Sequence, residues 1–146
     1  MDRTAFVKEF MDKFQSSRNP DLWLRLCEEE SAELFEALTW FVKEACDLAY
    51  VIRGLHIACG EDAKETERLL KQTGNVWQIF TIFSRMAPGL DGELFDAAFR
   101  EVHQSNMSKL GEDGKPVTRE DGKVLKGPNY QPADIDRVIL QHYGLS

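Results

Sequence analysis

The chain has 146 residues, 42% hydrophobic and 29% charged, a balance that suits one globular domain with its own core and excludes wholesale disorder. Its net charge of −7 argues against a nucleic-acid surface, which needs basic patches, yet leaves open a small phosphate ligand whose charge a divalent cation offsets. No apolar run approaches the ~20 residues that span a bilayer, and the N-terminus lacks a signal-peptide core, so a cytoplasmic chain with no membrane partner is expected.

Phe6, Phe10 and Phe14 fall on one stripe of a helix predicted over Thr4–Gln15, which reads as a core-facing surface. "SSRNP" punctuates; Asn19 suits an N-cap, and Pro20 the first position of the next helix. No Gly or Pro follows until Gly54, so one helix over Pro20–Cys59 has to be weighed against two. Gly60 ends the region. Helices are predicted over Asp62–Gln72, Asn75–Met86 and Glu93–Lys109, with a turn at "APGLDG". In "EDGKPVTREDGKVLKGPNY" the Asp-Gly pairs at 113–114 and 121–122 favour tight turns, so "KPVT" and "KVL" are candidates for a hairpin. "PADIDRVILQHYG" closes with a short helix. Cys27, Cys46 and Cys59 have no C-x-x-C spacing and read as core thiols, not as a zinc site or disulfide framework.

"CEEESAELFEAL" carries five glutamates and no base. At ~100° per residue, Glu28, Glu29 and Glu36 fall on a polar side. Glu30 and Glu33 fall inside the apolar arc with Leu22, Trp23 and Leu26. In "WFVKEACDLAYVIRGL" Glu44 lies between Val51 and Leu55, and Asp47 lies beside Trp40, with Lys43 outside the arc. Two i,i+3 carboxylate pairs therefore point inward with no inward base on either stretch. Such groups protonate or find a cation. One account is an internal ion-pair network using Arg68, Lys71, Arg85 or Arg100. The other is a hard divalent metal ion on all four carboxylates, Mg²⁺ first and Mn²⁺ as its substitute. In one straight helix Glu30 and Glu44 would lie roughly 21 Å apart. The metal account therefore requires the chain to turn back near Leu38–Trp40, with Thr39 capping the second helix. The expectation is an all-α helical bundle of residues 1–146 with a central α-hairpin and a short hairpin or loop appendage near the C-terminus.

Glu29-Glu30-Ser31-Ala32-Glu33 followed by Glu44-Ala45-Cys46-Asp47 resembles the E-E-x-x-E and E-x-x-D signature of the all-α nucleoside triphosphate pyrophosphohydrolases. That superfamily includes MazG and phosphoribosyl-ATP pyrophosphohydrolase. "DLAYVIRGL" and "FREVHQSNMSKLGEDGKPVTREDGKVLKGPNY" look like its phage-type branch. The resemblance implies hydrolysis of a (deoxy)nucleoside triphosphate to monophosphate and pyrophosphate, in active sites made between subunits of a dimer or dimer of dimers. It implies Mg²⁺ on Glu30, Glu33, Glu44 and Asp47, with Glu29 and Glu30 acting on the attacking water. Asn106, Lys109, Lys126 and Tyr130 would contact the nucleotide. His103 would be structural or a donor to substrate. A phage-encoded enzyme would work in the host cytoplasm, and a MazZ-like member would convert (d)GTP to (d)GMP. One departure is an insertion of about 28 residues, Glu61–Pro88, which the phage branch lacks.

A di-iron carboxylate bundle would need Glu-x-x-His twice, but Arg53, Arg100 and Ile139 precede His56, His103 and His142 by three. The non-enzymatic alternative is a helical interaction module whose carboxylates serve structural ion pairs.

Overall fold

The computed structural model describes residues 2–86, 92–120 and 123–145, with the backbone alone at residue 80 and residues 83–86. The turns expected over 87–91 and at Asp121–Gly122 lie outside these. The described residues form six helices and no sheet. They are α1 (Arg3–Lys13), α2 (Pro20–Ala58), α3 (Ala63–Gln72), α4 (Gly74–Met86), α5 (Gly92–Met107) and α6 (Ile135–His142). The all-α expectation holds.

Helix starts follow their caps. Asp2 Oδ1 accepts from the Thr4 and Ala5 amides at 3.0 and 3.1 Å. Asn19 Oδ1 accepts from Asp21 N at 3.0 Å, with Pro20 as the first helical residue. Asp62 Oδ1 caps α3 through Lys64 N and Glu65 N, and Asp134 caps α6. Each cap satisfies amides that have no partner within the helix. The end of α2 is a Schellman turn: Gly60 has φ +65°, Glu61 N donates to His56 O, and Gly60 N donates to Ile57 O.

The expected central hairpin is absent, because α2 runs unbroken through Leu38–Trp40. The stretch holds no Gly or Pro, so nothing in the local backbone chemistry obliges a turn. Thr39, expected to begin a second helix, instead sits in the interior of α2. Its Oγ1 is buried without a hydrogen-bond partner.

The chain divides into two compact units, residues 1–38 and 39–146, with α2 contributing to both. In the first unit, Phe6, Phe10 and Phe14 are 60%, 50% and 64% exposed, which corrects their expected place in a core. The periodicity reports an apolar face but not what covers it. Cys27 is also exposed rather than buried, Cys59 is half-buried, and Cys46 alone is fully enclosed.

The second unit holds the core. Val42, Ala45 and Cys46 of α2, Leu94, Ala98 and Val102 of α5, and Ile135, Val138 and Ile139 of α6 are all buried. Burying side chains such as Leu94 and Ile135 contributes about 1.5–3 kcal/mol each. α5 packs on α6, and α3 on α4; α3 and α4 fall in the stretch 61–88. The appendage is reduced to two antiparallel bridges, Leu110 with Pro116 and Thr118 with Val124. Pro116 has no amide to donate, so the pairing cannot extend into a regular ladder there. Gly114, with φ +72°, makes the described turn.

Candidate functional site

The site is built where α2, the C-terminal end of α5 and the "LKGPNY" loop meet in the second unit. Lys43 and Asp47 lie one turn apart on α2, Asn106 is on α5, and Lys109 follows its end. A cavity of about 150 Å³ is lined by these four together with Lys126 and Tyr130. Thus one predicted metal ligand and all four predicted nucleotide contacts come together. A larger cavity of about 450 Å³ lies between α2, α3 and α4, with Arg53, His56 and Trp77 in its wall. Its surface is mainly apolar, and it contains none of the predicted site residues. The smaller cavity is therefore the better candidate for phosphate chemistry, since three ammonium groups and a carboxylate converge on it.

The loop is fixed by its backbone. An added Cβ on Gly127 would lie 2.7 Å from Lys109 O and 3.2 Å from Leu110 O, so only glycine lets it approach the end of α5 this closely. Ser105 Oγ donates to Gln131 O at 2.7 Å, while Gln131 N donates to Ser108 Oγ at 2.8 Å. Tyr130 N closes a turn onto Gly127 O. These contacts hold Lys126 and Tyr130 over the cavity, with Lys126 Nζ 4.5 Å from the Tyr130 ring centroid, a cation–π contact. Lys109 Nζ donates to Asn106 Oδ1 at 2.6 Å. Behind the site, Glu101 accepts from Asp134 N and pairs with Arg137 at 2.7 Å, tying α6 to α5.

Lys43 is the functional candidate that the helical projection missed. Its Nζ lies 2.9 Å from Glu44 Oε1 and 2.7 Å from Asp47 Oδ2. A projection from Cα places it outside the apolar arc, but its long stem carries the charge back to its neighbours. The i,i+4 spacing of Lys43 and Asp47 was the available signal. Burial opposes its charge most strongly as a single influence. Hydrogen bonds to Asp47 and Glu44, and their negative charge, together outweigh it and leave the Lys43 pKa raised. The neighbouring Cys46 thiol is pushed up to about 12, first by burial and then by the charge of Asp47, so it is inert at neutral pH.

Glu29, Glu30 and Glu33 belong to the first unit, are exposed, and form no ion pair among the described residues. The burial expected for Glu30 and Glu33 is not seen in the single chain. Glu44 is exposed as well, and Asp47 is half-buried. No group of three acidic, histidine or cysteine side chains that could hold a metal ion is found among the described residues. Glu44 and Asp47 are hard oxygen donors one turn apart, and they already hold an ammonium. In donor chemistry they fit half of the set expected for Mg²⁺.

His103 Nδ1 lies 3.2 Å from Tyr50 Oη, and its ring stacks on Tyr50. No helix is long and apolar enough to cross a membrane among the described residues.

No family model matches the chain, and no curated protein matches it. Among solved structures, the chain is similar to the crystal structure of a proposed NTP pyrophosphohydrolase from Exiguobacterium sp. 255-15. The two are 28% identical over 97% of this chain and 77% of the other, with a TM-score of 0.34.

Proposed function

We propose that the protein hydrolyses a (deoxy)nucleoside triphosphate to a monophosphate and pyrophosphate, using Mg²⁺, or Mn²⁺ in its place. The single observation that carries this reading is the convergence of Asp47, Asn106, Lys109, Lys126 and Tyr130 on one cavity. Three ammonium groups beside a carboxylate suit a polyphosphate that arrives with a divalent cation. Glu44 and Asp47, joined by Glu30 and Glu33, would hold the metal. When bound, it offsets phosphate charge and lowers the pKa of a coordinated water.

The remaining roles belong to the chain. Lys109 and Lys126 bind phosphate oxygens and draw off the charge that builds on the pyrophosphate leaving group. Asn106 orients Lys109 through the bond it accepts, and Tyr130 offers a ring edge or hydroxyl to the nucleoside. Glu29 or Glu30 takes the proton of the water that attacks the α-phosphorus, as the α–β bridging P–O bond breaks. Water oxygen joins the monophosphate, and pyrophosphate departs with the bridging oxygen. On a MazZ-like reading of the chain, guanine is the base to expect. Self-association into a dimer or dimer of dimers is part of the same reading.

Product analysis by ion-exchange chromatography tests it, across NTPs and dNTPs with Mg²⁺, Mn²⁺ or EDTA. Metal-dependent monophosphate and pyrophosphate are expected, fastest from GTP or dGTP. Release of orthophosphate would contradict the bond assignment, and no turnover would contradict the activity. A second reading is favoured by one observation, the ion pairs of Lys43 with Glu44 and Asp47. On that reading the carboxylates are structural and the chain is a helical interaction module. It predicts no rise in Tm on adding Mg²⁺ with nucleotide, whereas ligand linkage raises Tm on the first.

A further inference from the structure

The larger cavity, about 450 Å³, is built within the second unit from α2, α3 and the first turn of α4, and it shares no lining residue with the phosphate site. Its walls differ from end to end. Residues 45, 49, 52 and 56 of α2 follow at steps of four, three and four, so they line one side of the helix. Ala45, Ala49 and Ile52 make that side apolar, and the small alanines leave room beside it. Arg53 and His56 make its C-terminal end polar. α3 is ordered to match. Thr66 Oγ1 stands 3.1 Å from His56 Nδ1, whereas Leu70, one turn further on, shares a second groove with Leu48 and Ile52. The slot therefore follows α2 from residue 45 to residue 56, roughly 16 Å, from an apolar end to a polar one.

The polar end is short of one anion. Glu67, the acid in this wall, is already paired with Lys71, and Arg53 makes no ion pair among the described residues. The His56 ring is fixed by Thr66, whose own proton goes to Asp62 O at 2.7 Å. Thr66 can then only accept from His56 Nδ1, which leaves Nε2 open to a polar group. We propose that the cavity binds an aliphatic monocarboxylate of medium chain length, its carboxylate on Arg53 beside His56 and its chain along Ala45, Ala49 and Leu70. Charge and shape select this class. A guanidinium takes a carboxylate through two parallel N–H bonds, which offsets the cost of bringing that charge out of water. The apolar length of the slot takes hydrocarbon, and about 450 Å³ falls in the range of small-molecule sites. A phosphate head would bring more charge than one guanidinium offsets and would meet Glu67 in the same wall. A neutral lipid would leave the guanidinium unpaired. With no lining residue in common, the site stands apart from the phosphate reading of the smaller cavity.

The test titrates octanoate, below its micellar concentration, into the full-length protein by isothermal calorimetry, with octanol as the uncharged counterpart. Octanoate should bind wild type in a one-to-one ratio, with the negative heat-capacity change of apolar burial. Arg53→Met removes the charge from an exposed residue, so it should weaken octanoate about tenfold and leave octanol unchanged. Ala49→Phe fills the slot and should abolish binding of both, with circular dichroism checking its fold. If that variant does not fold, the Arg53→Met comparison decides by itself. Lys109→Ala, in the other cavity, should bind octanoate as wild type does. Wild type that binds no octanoate overturns the inference. Equal affinity for octanol overturns it as well, because the groove would then be apolar without a recognised head. Octanoate binding that is lost in Lys109→Ala but kept in Arg53→Met would place the carboxylate in the phosphate cavity, and overturns it too.

Discussion

Replacing Gly127 with alanine puts a methyl group where the structure has only the backbone of residues 109 and 110. The new Cβ would stand 2.7 Å from Lys109 O and 3.2 Å from Leu110 O. Both obstacles are main-chain atoms at the end of α5, so neither can swing aside as a side chain would. The loop must lift away by several tenths of an ångström, weakening the Ser105 and Ser108 bonds to Gln131 and moving Lys126 and Tyr130. Overpacking of this kind costs about 1–3 kcal/mol. In a chain near this size each kcal/mol moves Tm by about 2–4 °C, so Gly127→Ala should lower Tm by about 2–12 °C in scanning calorimetry. The displaced Lys126 should weaken nucleotide binding by about tenfold, equivalent to ~1.4 kcal/mol, in isothermal titration. Gly74→Ala serves as the control. It meets nothing within 4 Å and lies at the start of α4, so it should be neutral or stabilising by up to about 1 kcal/mol. A Gly127→Ala protein with wild-type Tm and wild-type affinity would refute the claim that this contact sets the position of the loop.

Lys109→Ala should raise the nucleotide Kd by about 10- to 150-fold, the range for losing about 1.5–3 kcal/mol of charge-assisted hydrogen bonding, with little change in Tm; a wild-type Kd would remove Lys109 from the site. The raised pKa of Lys43 means that its contribution to stability is fully present below its unfolded value and is lost as pH rises through the higher folded one. Comparing Lys43→Met with wild type by thermal melting should therefore give a constant difference from pH 7 to 9 that shrinks above about 10.5. A difference that vanishes already at pH 8 would contradict the ion pair. Brief iodoacetamide treatment at pH 8 followed by peptide mass spectrometry should label exposed Cys27 and leave Cys46 unmodified, because a thiol with a pKa of about 12 is almost wholly protonated there. Labelling of Cys46 in the folded protein would show that its burial is not maintained.

What the sequence made legible was local. Asn19–Pro20 and Gly60 mark helix ends through hydrogen bonds made within a few residues, and both act where expected. Asn106, Lys109, Lys126 and Tyr130 are far apart in the chain, and it was the resemblance, not periodicity, that grouped them before the cavity did. The turn at Leu38–Trp40 was inferred from a need for four carboxylates to meet in one copy, while the residues themselves favour uninterrupted helix. That is a long-range argument imposed on a segment whose short-range chemistry disagrees. Lys43 escaped notice because a wheel plots backbone angles and not the reach of a four-carbon side chain. The exposed Phe6, Phe10 and Phe14 show the same limit, since a pattern of apolar spacing does not specify which surface will cover it.

The grip of Ser105 and Ser108 on residue 131 is a grip on its amide and carbonyl alone. Any amino acid but proline could present both groups, so the fastening does not depend on a glutamine side chain. Together with the backbone contact at Gly127, it lets Leu125, Pro128 and Asn129 vary in size and polarity without releasing the segment. The demands on this loop are thus divided: residue 127 has room for nothing larger than glycine, while its neighbours can change with Lys126 still held in the cavity wall.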